Sequence, residues 1–303
     1  MSSLIQLVFN GVVFGSIVLL AAVGLTLLYS IGNFANFAHG AIMSLGAYFT
    51  YAAAVQVGLP FLVAAVIGAS LVGVFALALD RTLFIRHRDT DPLGLLILTV
   101  GVAFALRSII RIVWGAELRS YHLPLRRSTT YLDTTLSLGN FDLLFRLQMG
   151  RKQMLIVAFA LLFALVVHLF LTRTKLGIAM RATSDNRFLS KITGINTDTV
   201  LSVTWLLSGV LAALGGIFLG VQLGSVYPRM GFDILLVTFA AVILGGIGSP
   251  YGAMVGAYII SIAQEMSIVL PGVTPGYRFG ISFFILILVL LYKPEGITGV
   301  SET

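Results

Sequence analysis

The stretch Leu4–Tyr29, LIQLVFNGVVFGSIVLLAAVGLTLLY, contains no Asp, Glu, Lys or Arg. A helix needs about 20 predominantly apolar residues to cross the hydrocarbon core of a bilayer, and this run exceeds that without a break. Its glycines sit inside the apolar run, where small residues let helix backbones approach closely. Met1, Ser2 and Ser3 precede it directly. That leaves no basic n-region of a cleaved signal peptide, so the stretch is expected to act as its own uncleaved membrane signal.

Outward from that span the same condition is met at Phe37–Val57, Pro60–Phe84, Pro92–Gly115, Met154–Leu171, Val200–Gly224 and Gly276–Tyr292. The run from Phe232 to Ile268 is too long for one crossing, and Gly245-Gly246-Ile247-Gly248-Ser249-Pro250 interrupts it. It reads either as two shorter spans, Ile234–Leu244 and Gly252–Ile268, or as a re-entrant pair of half-helices. The second is allowed only where broken backbone is buried in protein or lines a wet cavity. The fold class predicted is all-α, a polytopic transmembrane bundle of about eight to nine spans. With nine crossings the termini lie on opposite sides. Lys and Arg are nearly balanced between the two sets of loops, so the positive-inside bias does not set the orientation.

Composition excludes several classes. The chain is 58% hydrophobic and 10% charged, with a mean hydropathy of +1.02, whereas soluble domains carry about 25% charged residues. The net charge of +7 sits in short loops rather than in a continuous stripe, which argues against nucleic acid as a partner. The absence of cysteine removes disulfides, thiolate metal sites and cysteine nucleophiles.

No G-x-x-x-x-G-K-[ST] phosphate loop is present, so ATP-driven transport would require an ATPase on another chain. His39, His87, His122 and His168 are scattered without ligand spacing, and no Ser/His/Asp or paired-carboxylate arrangement suggests catalysis. Asp80, Asp233 and Glu265 fall near span ends. Coupled carriers place carboxylates at mid-membrane depth, and their scarcity argues against a secondary transporter.

Several segments carry specific expectations. The loop Ala116–Gln153 reads as a partly ordered surface excursion with a short helix near Phe141–Leu147. The loop from Thr172 to Thr199 is polar but helical in spacing, with Ile178, Arg181, Ala182 and Asp185 three and four residues apart. Arg107 and Arg111 share one helix face. They read as an attractor for an anionic carboxylate or as cations snorkelling to the interface. In Asn33-Phe34-Ala35-Asn36-Phe37-Ala38-His39-Gly40, Asn36 reads as an N-cap for His39 or its neighbour, or the segment as a helix N-terminus facing a substrate carboxylate. His39–Val255-type similarity, His39-Gly40-Ala41-Ile42-Met43 against Tyr251-Gly252-Ala253-Met254-Val255, hints at an internal repeat.

Three blocks resemble one known family. Gly24-Leu25-Thr26-Leu27-Leu28-Tyr29 with Asn36-Phe37-Ala38-His39-Gly40 and Leu45-Gly46-Ala47-Tyr48 form the first. Gly177-Ile178-Ala179-Met180-Arg181-Ala182 with Asn186 and Gly194-Ile195-Asn196 form the second. Phe239-Ala240-Ala241-Val242-Ile243-Leu244-Gly245-Gly246-Ile247-Gly248-Ser249 with Gly252-Ala253 form the third. In order and spacing they are similar to the branched-chain amino-acid ABC importer permeases.

That resemblance implies a single transmembrane permease domain over residues 1–303 in the cytoplasmic membrane of a prokaryote, with a cytoplasmic coupling loop at about 172–199. It implies pairing with a second permease subunit, the same chain or a related one. Two ABC ATPases would bind the ATP and Mg, leaving no cofactor in this chain, and an extracytoplasmic solute-binding protein would deliver the amino acid. The substrate pathway is expected to involve Asn33, Asn36, His39, Arg107, Gly245, Gly246 and Gly248. The coupling loop is expected to act through Gly177, Arg181, Ala182, Asp185, Asn186 and Gly194. Rival readings are a permease of the same class for urea, short amides or another amino acid, and a stand-alone secondary transporter or channel.

Overall fold

The computed structural model describes residues 4–88, 90–123, 129–138, 141–269, 278–292 and 296–298. Its elements in chain order are α1 (Leu4–Gly32), α2 (Ala38–Tyr51) with a π-helical turn (Ala52–Gln56), α3 (Phe61–Thr82) with a 3-10 turn (Phe84–His87) and α4 (Pro92–Trp114). A two-stranded hairpin follows, β1 (Thr129–Leu138) and β2 (Phe141–Met149). The remainder is α5 (Arg151–Arg173), α6 (Lys175–Asp185), α7 (Arg187–Ile192), α8 (Thr197–Leu223), α9 (Met230–Gly245), α10 (Pro250–Met266) and α11 (Arg278–Tyr292).

Among the described residues, α1, α3, α4, α5, α8 and α10 with its 3-10 extension are long and apolar enough to cross a membrane, and α9 and α11 are shorter apolar helices. A helix that is hydrophobic all round belongs inside a bundle. Accordingly α1, 89% buried over its apolar window, is the central post, whereas α5, at 17%, lies at the periphery. α1 packs on α8, α10, α9 and α5, and α2 packs on α8, α3, α4 and α9.

Caps delimit these helices much as their sequences dictate. Asn196 accepts from the Thr199 amide at 3.0 Å to start α8, and Ser249 accepts from Gly252 at 3.1 Å to start α10, with Pro250 in its first turn. A side-chain acceptor here satisfies one of the orphan amides of a helix start. Both halves of the suggested internal similarity therefore fall at helix starts, those of α2 and α10.

The interrupted run resolves into two helices, α9 and α10. Ideal side chains on Gly11 and Gly15 would touch Ile262 and Tyr258, and Gly248 donates to Thr26 Oγ1 at 3.2 Å, so α10 accompanies α1 along most of its length in the opposite direction. α9 starts just after Val226, whose backbone pairs with Arg119 beyond the end of α4. It ends at the turn before α10. The pair is an antiparallel helical hairpin, with Gly245 against Gly252 and Gly256 against Ala241.

One expectation is overturned. Phe141–Leu147 lies in β2, not in a helix, and pairs antiparallel with β1 from Leu138↔Phe141 to Thr129↔Met149, with a register shift between Thr130 and Leu132. The reason is visible in the composition of β1, TTYLDTTLSL, since β-branched and aromatic residues favour a pleated strand. Two residues of hairpin-turn type, Gly139 and Asn140, separate the strands in sequence. The hairpin is tied to the start of α1, where Gln6 Nε2 donates to Gln148 O at 3.1 Å and Gln148 N donates to Gln6 Oε1 at 2.7 Å.

α2 starts inside the bundle rather than at its edge. Ala38 and His39 are fully buried and His39 reaches Ala21, in the middle of α1. The non-helical residues just before it, of which Asn36 is buried, thus re-enter to the depth of mid-α1, which is tolerated where protein surrounds them. There α2 crosses α9 with backbones in contact. A Cβ on Gly231 would lie 2.0 Å from the Gly40 carbonyl oxygen, and one on Gly40 would lie 2.8 Å from that of Gly231. Gly231 N also donates to Ser44 Oγ at 3.0 Å.

Candidate functional site

The seven expected pathway residues fall into separate places. Asn36 is buried: its Oδ1 accepts from Ala38 N at 3.0 Å and its carbonyl from His39 N at 3.3 Å, while Nδ2 has no hydrogen-bond partner. The Oδ1 bond closes an Asx turn just ahead of α2; the N-cap position is Phe37, without a side-chain cap, so Asn36 is not the N-cap that the sequence suggested. His39 Nε2 stands 2.9 Å from Ala21 O. A carbonyl only accepts, so Nε2 carries the proton and Nδ1, buried and without a partner, holds a free lone pair. Asn33 is exposed at the end of α1, in the left-handed region at φ 56°.

Arg107 lies elsewhere, on α4, at the rim of an apolar cavity of about 250 Å3 that Phe37, Ala41, Ala103, Phe104 and Phe232 also line. The first turn of α2 separates this cavity from His39, which points toward α1. Val100, Ala103, Phe104 and Arg107 follow i, i+3, i+4, i+7 spacing, so the cavity wall on α4 was legible as one helix face. Phe232, its counterpart on α9, carries no comparable signal.

Gly245, Gly246 and Gly248 form the turn between α9 and α10 at the opposite end of the bundle from the hairpin. Gly246 and Gly248 have φ of 104° and 89°, a region where L side chains are strained. A Cβ on Gly245 would lie 2.1 Å from the Gly252 carbonyl. The chain after α11 returns to this turn, with Ile297 N donating to Leu244 O at 2.9 Å and Thr298 N to Gly245 O at 3.1 Å. Those carbonyls at the C-terminus of α9 would otherwise be orphaned.

The same end carries the loop from 172 to 199, which is helical as its spacing predicts. Thr174 accepts from Gly177 N at 2.9 Å to start α6, and Asn186 accepts from Leu189 N at 2.8 Å to start α7. Gly177 is buried against α5: a Cβ there would lie 2.2 Å from Phe170 O. Gly194 has φ 87° with nothing near an added Cβ, so its glycine requirement is conformational. Ala182 is half-buried, and Arg181 and Asp185 are both exposed without the ion pair that their spacing allows. Arg181 instead lines a cleft of about 60 Å3 together with Ser30, Gly248 and Tyr251. α6 therefore packs on α1 and faces the glycine turn across this cleft. On α7, Phe188, Leu189 and Ile192 are 75%, 57% and 66% exposed, beside exposed Arg187 and Lys191.

An ionic network escaped the reading of the sequence. Asp80, fully buried near the end of α3, receives Arg88 Nη2 on both oxygens at 3.1 and 2.9 Å and Ser202 Oγ at 2.5 Å. Arg88 Nη1 also binds the exposed Asp198 of α8. Beside it Phe84 stacks between Trp205, at 4.5 Å, and Phe34, at 5.9 Å. A lone acid one turn before a span end was the available signal, but its partners come from other segments.

Residues 7–290 match the family described as "Branched-chain amino acid transport system / permease component". The chain belongs to that family. Over 98% of its length the permease is 32% identical to the high-affinity branched-chain amino acid transport system permease protein LivH of Salmonella typhimurium, covering 96% of that relative. It is 29% identical to the corresponding permease protein BraD of Pseudomonas aeruginosa over 98% of its length and 96% of BraD. With the probable branched-chain amino acid transport permease protein LivH of Methanocaldococcus jannaschii the identity is 31%, over 96% of this chain and 91% of the relative. No solved structure matches. The permease is a multi-pass helical protein of the cytoplasmic membrane and a transport subunit rather than an enzyme.

Proposed function

We propose that the permease carries branched-chain amino acids inward as one membrane-spanning subunit of an ATP-driven ABC importer, by alternating access. The relatives named for branched-chain amino acid transport span nearly its whole length. The observation that carries the mechanism is that α6, on the exposed loop, packs on α1 and α8 and faces the glycine turn across the Arg181 cleft. A rigid helix at that junction can transmit displacement to α9, which crosses α2 at Gly40 and Gly231. Alternating access then is a rearrangement of packed helices driven from one end.

In this reading residues 1–303 form one permease domain, with the loop at about 172–199 in the cytoplasm as the coupling element. Two ATPase subunits bind the ATP and Mg, so the permease itself needs no cofactor. A second permease subunit completes the pore, and a solute-binding protein docks at the hairpin end. The exposed Phe188, Leu189 and Ile192 among cations suit an ATPase surface, because contiguous exposed apolar side chains mark interaction sites. Gly177, Arg181, Ala182, Asp185, Asn186 and Gly194 shape that element. Asn33, Asn36, His39, Arg107, Gly245, Gly246 and Gly248 mark the pathway from the level where α2 begins to the inner turn.

Leucine uptake by proteoliposomes is expected to require ATP and the partner subunits, and unlabelled urea should not compete. Robust uptake by the permease alone would sink the reading. Within the assembled importer, Arg181→Glu is expected to lower substrate-stimulated ATP hydrolysis by about tenfold, the loss expected for reversing one charge at a coupling contact. Unchanged stimulation with normal assembly would remove α6 from the coupling path.

A further inference from the structure

We propose that the cavity between α2, α4 and α9 is an amino-acid subsite within the permease, in which Arg107 holds the carboxylate and Ala103, Phe104 and Phe232 enclose the apolar side chain. It rests on the transport reading above and adds to it a second point of selection, after delivery.

The observations are geometric. Arg107 is part-buried, its Nε has no hydrogen-bond partner, and it makes no ion pair among the described residues. The charged groups around it are Arg111, Arg229 and Asp233. Asp233 is already engaged by Arg229 Nε at 2.8 Å and Tyr227 Oη at 3.3 Å. A part-buried guanidinium among two other cations, whose nearby carboxylate is already engaged, is under-satisfied, and a second carboxylate would satisfy its planar fork with two charge-assisted hydrogen bonds. The rest of the wall is aromatic and aliphatic, and the volume of about 250 Å3 lies below the range of drug-sized sites, roughly 300–1,000 Å3. It suits a ligand with one anionic end and one small apolar body. Arg107 is seven residues before the end of α4 at Trp114, roughly 10 Å along the axis, which is deeper than a lipid headgroup sits. Phe232 follows Gly231, the residue in contact with Gly40, so the cavity borders the crossing that alternating access must rearrange.

The test is uptake of leucine and of valine by the complete importer in proteoliposomes, with unaltered binding protein at saturation and rates expressed per assembled complex. Ala103→Leu narrows the cavity and should lower the leucine-to-valine ratio about tenfold, the discrimination that one methylene group produces in an apolar pocket. Phe104→Ala widens it from an exposed position and should raise the ratio. Arg107→Gln should reduce both rates at least about tenfold through loss of charge-assisted hydrogen bonds, with partial recovery in Arg107→Lys. The subsite is overturned if both cavity variants keep the wild-type ratio, as they would with a lipid phosphate on Arg107, or if Arg107→Gln transports within twofold of wild type. Failure of the wild-type importer to transport either amino acid would instead overturn the transport reading itself.

Discussion

Replacing Asp80 with alanine is expected to lower the stability of the permease by about 3–5 kcal/mol, the range for removing one partner of a buried ion pair. The loss arises less from the missing attraction than from what remains. Arg88, with 8% of its side chain exposed, would keep its charge and lose the carboxylate that accepts at 2.9 and 3.1 Å. Ser202 Oγ would lose its 2.5 Å acceptor. The exposed Asp198 supplies only a solvated contact and cannot compensate fully. Arg88→Ala should cost a similar amount by stranding a fully buried carboxylate. The double variant Asp80→Leu/Arg88→Met should cost much less than the sum, because an apolar pair of similar volume needs no partner. Thermal unfolding of the purified permease in detergent would measure all three. Additive losses in the double variant would show that Asp80 and Arg88 do not act as a pair.

Gly231→Val is the second large effect expected. Its Cβ would lie 2.0 Å from the Gly40 carbonyl oxygen and 2.9 Å from Ser44 Oγ. The first of these neighbours is backbone and cannot turn aside; the Ser44 hydroxyl can rotate away, but only by giving up its bond from Gly231 N. α2 and α9 must separate, which breaks the bond from Gly231 N to Ser44 Oγ and loosens the packing of α2 on α8. Overpacking typically costs about 1–3 kcal/mol; with backbone on both sides the upper end or more is expected, seen as loss of assembled permease from the membrane. Gly101→Ala provides the contrast. Nothing lies within 4 Å of an added Cβ there, and alanine in a helix interior is favoured over glycine by about 1 kcal/mol. Equal abundance and equal unfolding temperature for the two variants would mean that the α2–α9 crossing is not as close as described.

The two sets of expectations differ in how far they could be read from the chain. The helical loop at 172–199 was legible because Ile178, Arg181, Ala182 and Asp185 fall at helical spacing; that Thr174, Asn186 and Asn196 cap α6, α7 and α8 came from the structure. The glycine block was legible as the turn between two apolar helices, whereas that α10 runs antiparallel along α1 depends on contacts far apart in the chain. The hairpin at 129–149 was misread near Phe141 because a short apolar run does not by itself distinguish helix from strand. The pathway residues were assembled from one segment each, yet His39 faces α1 while Arg107 faces a cavity completed by Phe232 of α9.

Membrane residence, helix number and the places where helices start follow from local composition, because a span of apolar residues and a capping side chain act on their own neighbourhood. The sequence determined these alone, beginning with Leu4–Tyr29. Which helix stands at the centre, that α2 starts at membrane depth, and that Asp80 finds Arg88 and Ser202 depend on contacts between residues far apart in the chain. Only the tertiary structure decided them, since such contacts are set by how helix faces fit together.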